Sequence, residues 1–196
     1  MSQLLQDRPT GSPLDCLASL HMIGTKHLLI RKFRSEDLED VHLFLSHPAA
    51  MAFSGLAPFS FGQSAEWLNN HMEAYPKKEP LGVFAIENRQ THRVIGYCGL
   101  ENLPLEIADD IEVTIGLVPE FWGRGYAKEA VSALIDYARD RCRLERIVAV
   151  VHAENLNAHH LFQNCGFRRH CDLVVDGVGQ HSLYRVEITD IWENTQ

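Results

Sequence analysis

Two glycines and an arginine stand where an apolar strand is predicted to end and an amphipathic helix to begin, in the segment 120–130, EFWGRGYAKEA. Gly123 and Gly125 permit backbone conformations and close approaches that a Cβ would block. The first N–H groups of the helix lack intrahelical partners, and the helix dipole and Arg124 add positive charge there. The turn therefore suits a phosphate or diphosphate, but a purely structural tight turn uses the same residues.

The common nucleotide-binding motifs do not fit this turn. A P-loop requires G-x-x-x-x-G-K-[ST], which is absent, and a dinucleotide-binding turn requires a third glycine where Lys128 stands. The turn also follows a predicted antiparallel meander rather than a first buried strand. A different phosphate-bearing cofactor is indicated.

A carboxylate lies on the strand before the turn. In that strand Ile111, Val113, Ile115 and Leu117 alternate with polar or small residues, so Glu112 lies on the face opposite the apolar one. A carboxylate there is a candidate general base that removes a proton directly or through water. The alternative is an ordinary solvent-facing glutamate.

The elements that position these residues follow from hydrophobic periodicity. Strands are predicted over 27–33, 81–88, 93–102, 110–118 and 146–152, with a hairpin around residues 176–179. Helices are predicted from Ser35, as N-cap, to about residue 47, over 63–75, after the glycine turn, and over 155–165 up to Gly166. The segment 51–62 is predicted to be a loop.

The order of these elements predicts an α/β (α+β) fold with helices on both faces of a mixed, mostly antiparallel sheet. The three strands from 81 to 118 form an antiparallel meander, because a short polar turn joins the first two. The strand, helix and strand around the glycine turn imply a right-handed parallel crossover.

Composition favours an ordinary soluble protein of one domain. The chain has 196 residues, of which 45% are hydrophobic and 22% charged, and its net charge of −8 argues against a nucleic-acid partner. No segment resembles a signal peptide or membrane span, and five cysteines without CxxC spacing fit a reducing cytoplasm. We expect an N-terminal tail, a domain and a C-terminal tail at 1–24, 25–190 and 191–196.

Eleven histidines raise the question of a metal site. No HExxH motif or comparable ligand spacing occurs, so packing or surface roles are favoured and no metal is predicted. His152 ends a strand beside the expected cleft and is a second-choice base.

The chain resembles the GNAT superfamily of acetyl-CoA-dependent N-acetyltransferases from about residue 25 to 188. The segment 122–127, WGRGYA, fits the superfamily pattern [Q/R]-x-x-G-x-[G/A] with tryptophan at the first position. The segments 25–31 and 94–97 and the spacing from Asn155 to Gly166-Phe167 are similar to the branch of ribosomal-protein N-terminal acetyltransferases, the Rim-like enzymes.

This resemblance implies acetyl-CoA as cosubstrate, a primary amine as acceptor and a monomer or homodimer. It implies that two parallel strands, 110–118 and 146–152, splay apart to hold the pantetheine arm, and that a strand N–H near 115–117 stabilises the oxyanion. The implied cofactor contacts are Leu117 and Val118 for the arm, Trp122, Gly123, Arg124, Gly125, Tyr126 and Ala127 for the diphosphate, and Asn155. Some members carry glutamates on the strand of Glu112, which favours its role as base.

Two positions depart from the superfamily pattern. Ala158 replaces a serine, and Phe162 replaces the tyrosine that protonates the departing thiolate in many members. Tyr184, a serine or water is then left as the acid, or the thiolate leaves unassisted. A protein N-terminus, a polyamine or aminoglycoside acceptor, and a non-catalytic acyl-CoA-binding module therefore all remain open. The loop aromatics near the implied acceptor site pack either there or in the core: Phe53, Phe59, Phe61 and Trp67.

Overall fold

The computed structural model describes residues 23–78, 80–103, 110–175 and 177–188. Within them eight strands form one sheet, in the spatial order β1-β2-β3-β4-β5-β6-β8-β7. The strands are β1 (Ile23–Gly24), β2 (Leu28–Arg31), β3 (Gly82–Asn88), β4 (Val94–Asn102), β5 (Ile111–Leu117), β6 (Arg146–His152), β7 (Arg168–Val175) and β8 (Gly179–Glu187). The α-helices are α1 (Leu38–Leu45), α2 (Pro48–Met51), α3 (Phe61–Lys78), α4 (Tyr126–Asp140) and α5 (Leu156–Asn164).

All neighbouring strands run antiparallel except β5 and β6, which are parallel. Helix α4 connects this parallel pair, as the sequence predicted, because strands that run the same way need a long crossover. The mixed, mostly antiparallel sheet is confirmed.

The helices cover both faces of the sheet. On the side that we call the front face, Tyr97 of β4 contacts Phe44 of α1 and Trp67 of α3. Helices α4 and α5 cover the opposite side, the back face, where an apolar stripe on α4 is buried at the predicted helical spacing. The stripe includes Ala130, Val131, Leu134, Ile135 and Ala138.

Two local predictions differ from the structure. Ser35 does not cap α1; it begins a short 3-10 helix, Ser35–Asp37, and the carboxylate of Asp37 accepts the Arg34 N–H at 2.8 Å. Asp37 also binds Arg31 of β2, a tertiary contact that local pattern does not contain. The segment predicted as a loop, 51–62, contains the end of α2 and the beginning of α3.

The chain ends are described only in part. Ile23 and Gly24, which we expected in the N-terminal tail, pair with β2, whereas residues 1–22 and 189–196 lie outside the described residues. Among the helices that the structure describes, none is both long and apolar enough to cross a membrane.

Candidate active site

Strand β5 opens a gap in the sheet. It pairs with β4 along its whole length, but in the described residues it pairs with β6 only where Glu112 meets Val148. The N–H of Val118 donates to the Ile95 carbonyl at 2.9 Å, so even-numbered residues of β5 bond to β4. Because antiparallel bonding alternates, the odd-numbered residues direct their N–H and C=O groups toward β6 and the gap.

The glycine turn lies at the end of this gap. Gly123 has φ +71° and Gly125 has φ +83°, a left-handed conformation that favours glycine. A Cβ added at either position would meet no described atom within 4 Å, so open space lies beside both. Gly125 is the N-cap of α4 and no described side chain caps the helix, which leaves the first N–H groups, including those of Tyr126 and Ala127, for a ligand. The turn therefore fits a diphosphate.

Neighbouring residues fix the turn in place. The indole Nε1–H of Trp122 donates to the Leu117 carbonyl at 2.8 Å, although the side chain remains 44% exposed. The guanidinium of Arg124 lies over the Phe121 ring at 5.4 Å. Of the two residues implied for the pantetheine arm, Leu117 has its carbonyl engaged by Trp122, and its N–H is directed toward the gap.

Val118 and Asn155 already have structural partners. The Val118 N–H belongs to the ladder with β4, and Asn155 is the N-cap of α5, where its Oδ1 accepts the Ala158 N–H at 3.1 Å. The Val118 carbonyl also accepts the Phe121 N–H at 2.9 Å. Cofactor contacts remain predictions for both residues.

Glu112 lies beside the gap on the front face. Its Oε1 accepts the N–H of Val150 at 3.4 Å. If the parallel pairing of β5 and β6 continued, this N–H would instead donate to a backbone carbonyl of β5. Burial raises the pKa of Glu112 to about 7; the Val150 bond opposes this shift, and the nearby Glu101 carboxylate adds to it. Glu101 is its direct cross-strand partner on β4.

Aromatic and histidine rings surround the front face of the gap. Tyr97 bonds Thr114 of β5, and burial raises the pKa of its hydroxyl. His152 ends β6, with its ring 5.2 Å from Phe53 and 5.1 Å from His181. The Nδ1 of His152 accepts the Glu154 N–H at 3.2 Å, which places the proton of a neutral ring on Nε2.

The four loop aromatics separate into different environments. Trp67 packs in the core against Tyr97, Phe59 is partly buried against the core, and Phe61 is exposed beside His42. Phe53 lies beside His152, at the end of β6.

The positions considered for the general acid are buried. Phe162 is 4% exposed and packs on Phe167. Tyr184 is 2% exposed, and its hydroxyl bonds to His159 Nδ1 at 2.8 Å and accepts from Gln163 at 3.4 Å. The Tyr184 hydroxyl therefore bonds to α5 on the back face, and its use as the acid stays a prediction.

Sequence reasoning missed two acidic residues. Glu101 affects the site because it is the cross-strand partner of Glu112. Glu129, in the first turn of α4, binds residues 25 and 27. Neither partnership has a local sequence signal. Within the described residues, no group of three or more histidine, cysteine, aspartate or glutamate side chains comes together to hold a metal ion.

Comparison with known proteins identifies the family. Residues 27–168 match the protein-family model described as an acetyltransferase (GNAT) domain. The chain belongs to the GNAT acetyltransferase family. It is therefore an acyltransferase, and this family uses acetyl-CoA as the acetyl donor.

Several relatives show how the family match extends over the chain. The uncharacterized N-acetyltransferase p20 of Bacillus licheniformis is 29% identical over 150 residues, 76% of this chain and 84% of that protein. The spermidine N(1)-acetyltransferase of Vibrio cholerae is 28% identical over 141 residues, 71% of this chain and 78% of the relative. The structure of ribosomal-protein-S5-alanine acetyltransferase from Vibrio fischeri has a TM-score of 0.69 at 19% identity, covering 86% of this chain and 97% of the other.

Proposed function

We propose that this GNAT acetyltransferase transfers an acetyl group from acetyl-CoA to a primary amine, with Glu112 as the general base. The observation that carries the proposal is the Glu112 carboxylate, which lies beside the gap between β5 and β6 with a pKa raised to about 7. A base with a pKa near the working pH is suited to proton removal.

The chain's own groups support the binding of coenzyme A. The N–H groups of residues 123–127 would hold the diphosphate, because the two glycines leave open space and α4 directs its positive end there. Beyond the pair of Glu112 and Val148, Ile115 and Leu117 would present backbone groups to the pantetheine arm. When bound, acetyl-CoA supplies an acetyl group activated as a thioester.

Glu112 would prepare the acceptor. Its Oε1 is held by the Val150 N–H, so Oε2 is the atom that takes the proton from the ammonium, directly or through one water. One strand N–H directed into the gap, that of Ile115 or of Leu117, would stabilise the oxyanion. On acylation the amine nitrogen would lose a second proton, which would pass through water to the thiolate as the C–S bond breaks, so no dedicated acid side chain is needed.

The acceptor is a cationic amine in this proposal. The paired carboxylates of Glu101 and Glu112 favour a positive charge on the front face. The resemblance to the Rim-like branch supports a protein N-terminus as acceptor. The spermidine acetyltransferase among the relatives supports a polyamine as the second candidate.

Two measurements test the proposal. Acetyl-CoA at millimolar concentration should raise the melting temperature, because ligand that binds only the folded state stabilises it. Release of coenzyme A thiol should then be followed with N-terminal peptides of basic proteins, spermidine and an aminoglycoside. Thermal stabilisation without turnover on any amine would favour an acyl-CoA-binding module, and no stabilisation would refute the proposed function.

A further inference from the structure

One carboxylate joins the cofactor turn to a distant part of the sheet. Glu129, in the first turn of α4, accepts three hydrogen bonds from the turn between β1 and β2. Its Oε1 accepts Thr25 Oγ1–H at 2.5 Å and the His27 N–H at 2.7 Å, and its Oε2 lies 2.8 Å from His27 Nδ1. We call Thr25, His27 and Glu129 the clamp.

The clamp is directly next to the glycine turn. The Glu129 N–H donates to the carbonyl of Gly125 at 3.0 Å, and the His27 ring lies 5.9 Å from the ring of Tyr126. Both Gly125 and Tyr126 belong to the segment that would hold the diphosphate. A shift of Glu129 would therefore move these binding groups.

The other side of the clamp is anchored to the sheet. Arg89, after β3, donates from Nη1 to the Thr25 carbonyl at 2.6 Å, and its N–H donates to the His27 carbonyl at 2.9 Å. Thr25 also bonds within its own turn, since its Oγ1 accepts the Leu28 N–H at 3.0 Å. Thr25 and His27 are thus held in place by bonds that do not involve α4.

The clamp also reduces an electrostatic conflict. An ionised carboxylate near the N-terminus of α4 repels a bound diphosphate, and this repulsion falls as the distance between the two charges grows. Partial burial would raise the pKa of Glu129, but the bonds from Thr25 and His27 outweigh it and the pKa is lowered. The donors thus hold the charge of Glu129 toward residues 25–27.

We propose that Glu129 is a positioning residue that sets the affinity for coenzyme A by holding the first turn of α4 through Thr25 and His27. The inference rests on the proposed use of this turn as the diphosphate site. Because Glu129 does not act on the acetyl group, its loss should change cofactor binding without changing the chemical step.

The test compares four variants by the Kd for coenzyme A and by kcat at saturating acetyl-CoA. Glu129→Ala should raise Kd about tenfold with kcat within about twofold of wild type, and Thr25→Val should act in the same direction. Glu129→Gln keeps an oxygen that accepts from Thr25 and His27, so its Kd should rise only about threefold or less. Asp136→Ala removes an exposed carboxylate of the same helix, which pairs with Arg139, and should leave Kd unchanged.

A second readout separates this inference from the proposed function. Hydrogen exchange of the free protein should accelerate about tenfold in Glu129→Ala at the amides of Ala130 and Val131, which close the first turn of α4, but not at 134–138. If wild type fails to bind coenzyme A, the proposed function is wrong, and exchange still tests the clamp. Unchanged exchange, an unchanged Kd in Glu129→Ala, or a fall in kcat with no change in Kd would overturn the inference.

Discussion

Strand β5 has two edges that behave differently. Toward β4 it is paired from Ile111 to Leu117, whereas toward β6 the described ladder is limited to Glu112 and Val148. The first edge holds the sheet together, since each backbone group there has a partner. The second edge leaves backbone groups and one carboxylate directed into a gap. The proposed binding of the cofactor at this gap therefore depends on hydrogen bonds that the sheet does not make.

The largest expected effect comes from removing the base at the open edge. Glu112→Gln keeps the oxygen that accepts the Val150 N–H but cannot take a proton, so kcat should fall ~10²–10⁴-fold. In wild type kcat/KM should rise with pH through about 7, the pKa of Glu112, and this dependence should be absent in the variant. Steady-state rates with one acceptor between pH 5.5 and 8.5 check both expectations. Equal rates and parallel pH profiles would remove Glu112 from the mechanism.

The next effect tests the turn at the end of the open edge. Gly125→Val forces a branched side chain to adopt φ +83° and fills the space beside the turn, so the Kd for coenzyme A should rise about 100-fold. Gly177→Val is the matched control, because Gly177 has φ +77° and equally open surroundings in the turn between β7 and β8. Calorimetry should show similar destabilisation of both variants but weakened coenzyme A binding only in Gly125→Val. Wild-type affinity in Gly125→Val would contradict the diphosphate site.

The two edges also differ in how far sequence predicts them. Hydrophobic alternation located β5 and placed Glu112 on one face, and the glycine turn and the parallel crossover followed from residue type and element order. The gap did not follow from periodicity, because side-chain pattern does not record whether a backbone N–H has a partner; it was expected only from the family resemblance.

Residues with structural partners of their own were the least predictable. Asn155 was expected to contact the cofactor, and the structure shows it as a helix cap, a role that favours the same residue type. Glu129 has no local sequence signal, since its partners lie 102 to 104 residues away in the chain. Such contacts depend on the completed fold.

The pH dependence of the unfolding free energy tests the environment of Glu112 at the open edge without any ligand. The pKa of Glu112 is raised from its ordinary 4.5 to about 7, so the folded protein binds more protons than the unfolded chain between these values. Stability from this residue is present at low pH and is lost as the pH rises through 7. At pH 8 Glu112→Gln should therefore exceed wild type in unfolding free energy by up to about 3 kcal/mol, and at pH 4 by little.

Urea denaturation of both proteins at pH 4, 6 and 8 measures this difference, and the contributions of titrating groups that do not interact with Glu112 cancel between them. A difference that stays constant with pH would show that burial at the gap does not disfavour the charged carboxylate.

The smallest expected effect concerns the one carbonyl of the open edge that Trp122 engages. Trp122→Phe removes the donor to Leu117 but keeps an aromatic ring, so it loosens the connection between the end of β5 and the turn. A neutral hydrogen bond at a partly exposed site contributes about 1 kcal/mol, which corresponds to a rise of about fivefold in the Kd for coenzyme A, with kcat unchanged. If Kd falls instead, the indole competes with the cofactor for the Leu117 carbonyl, and this carbonyl belongs to the binding edge rather than to its support.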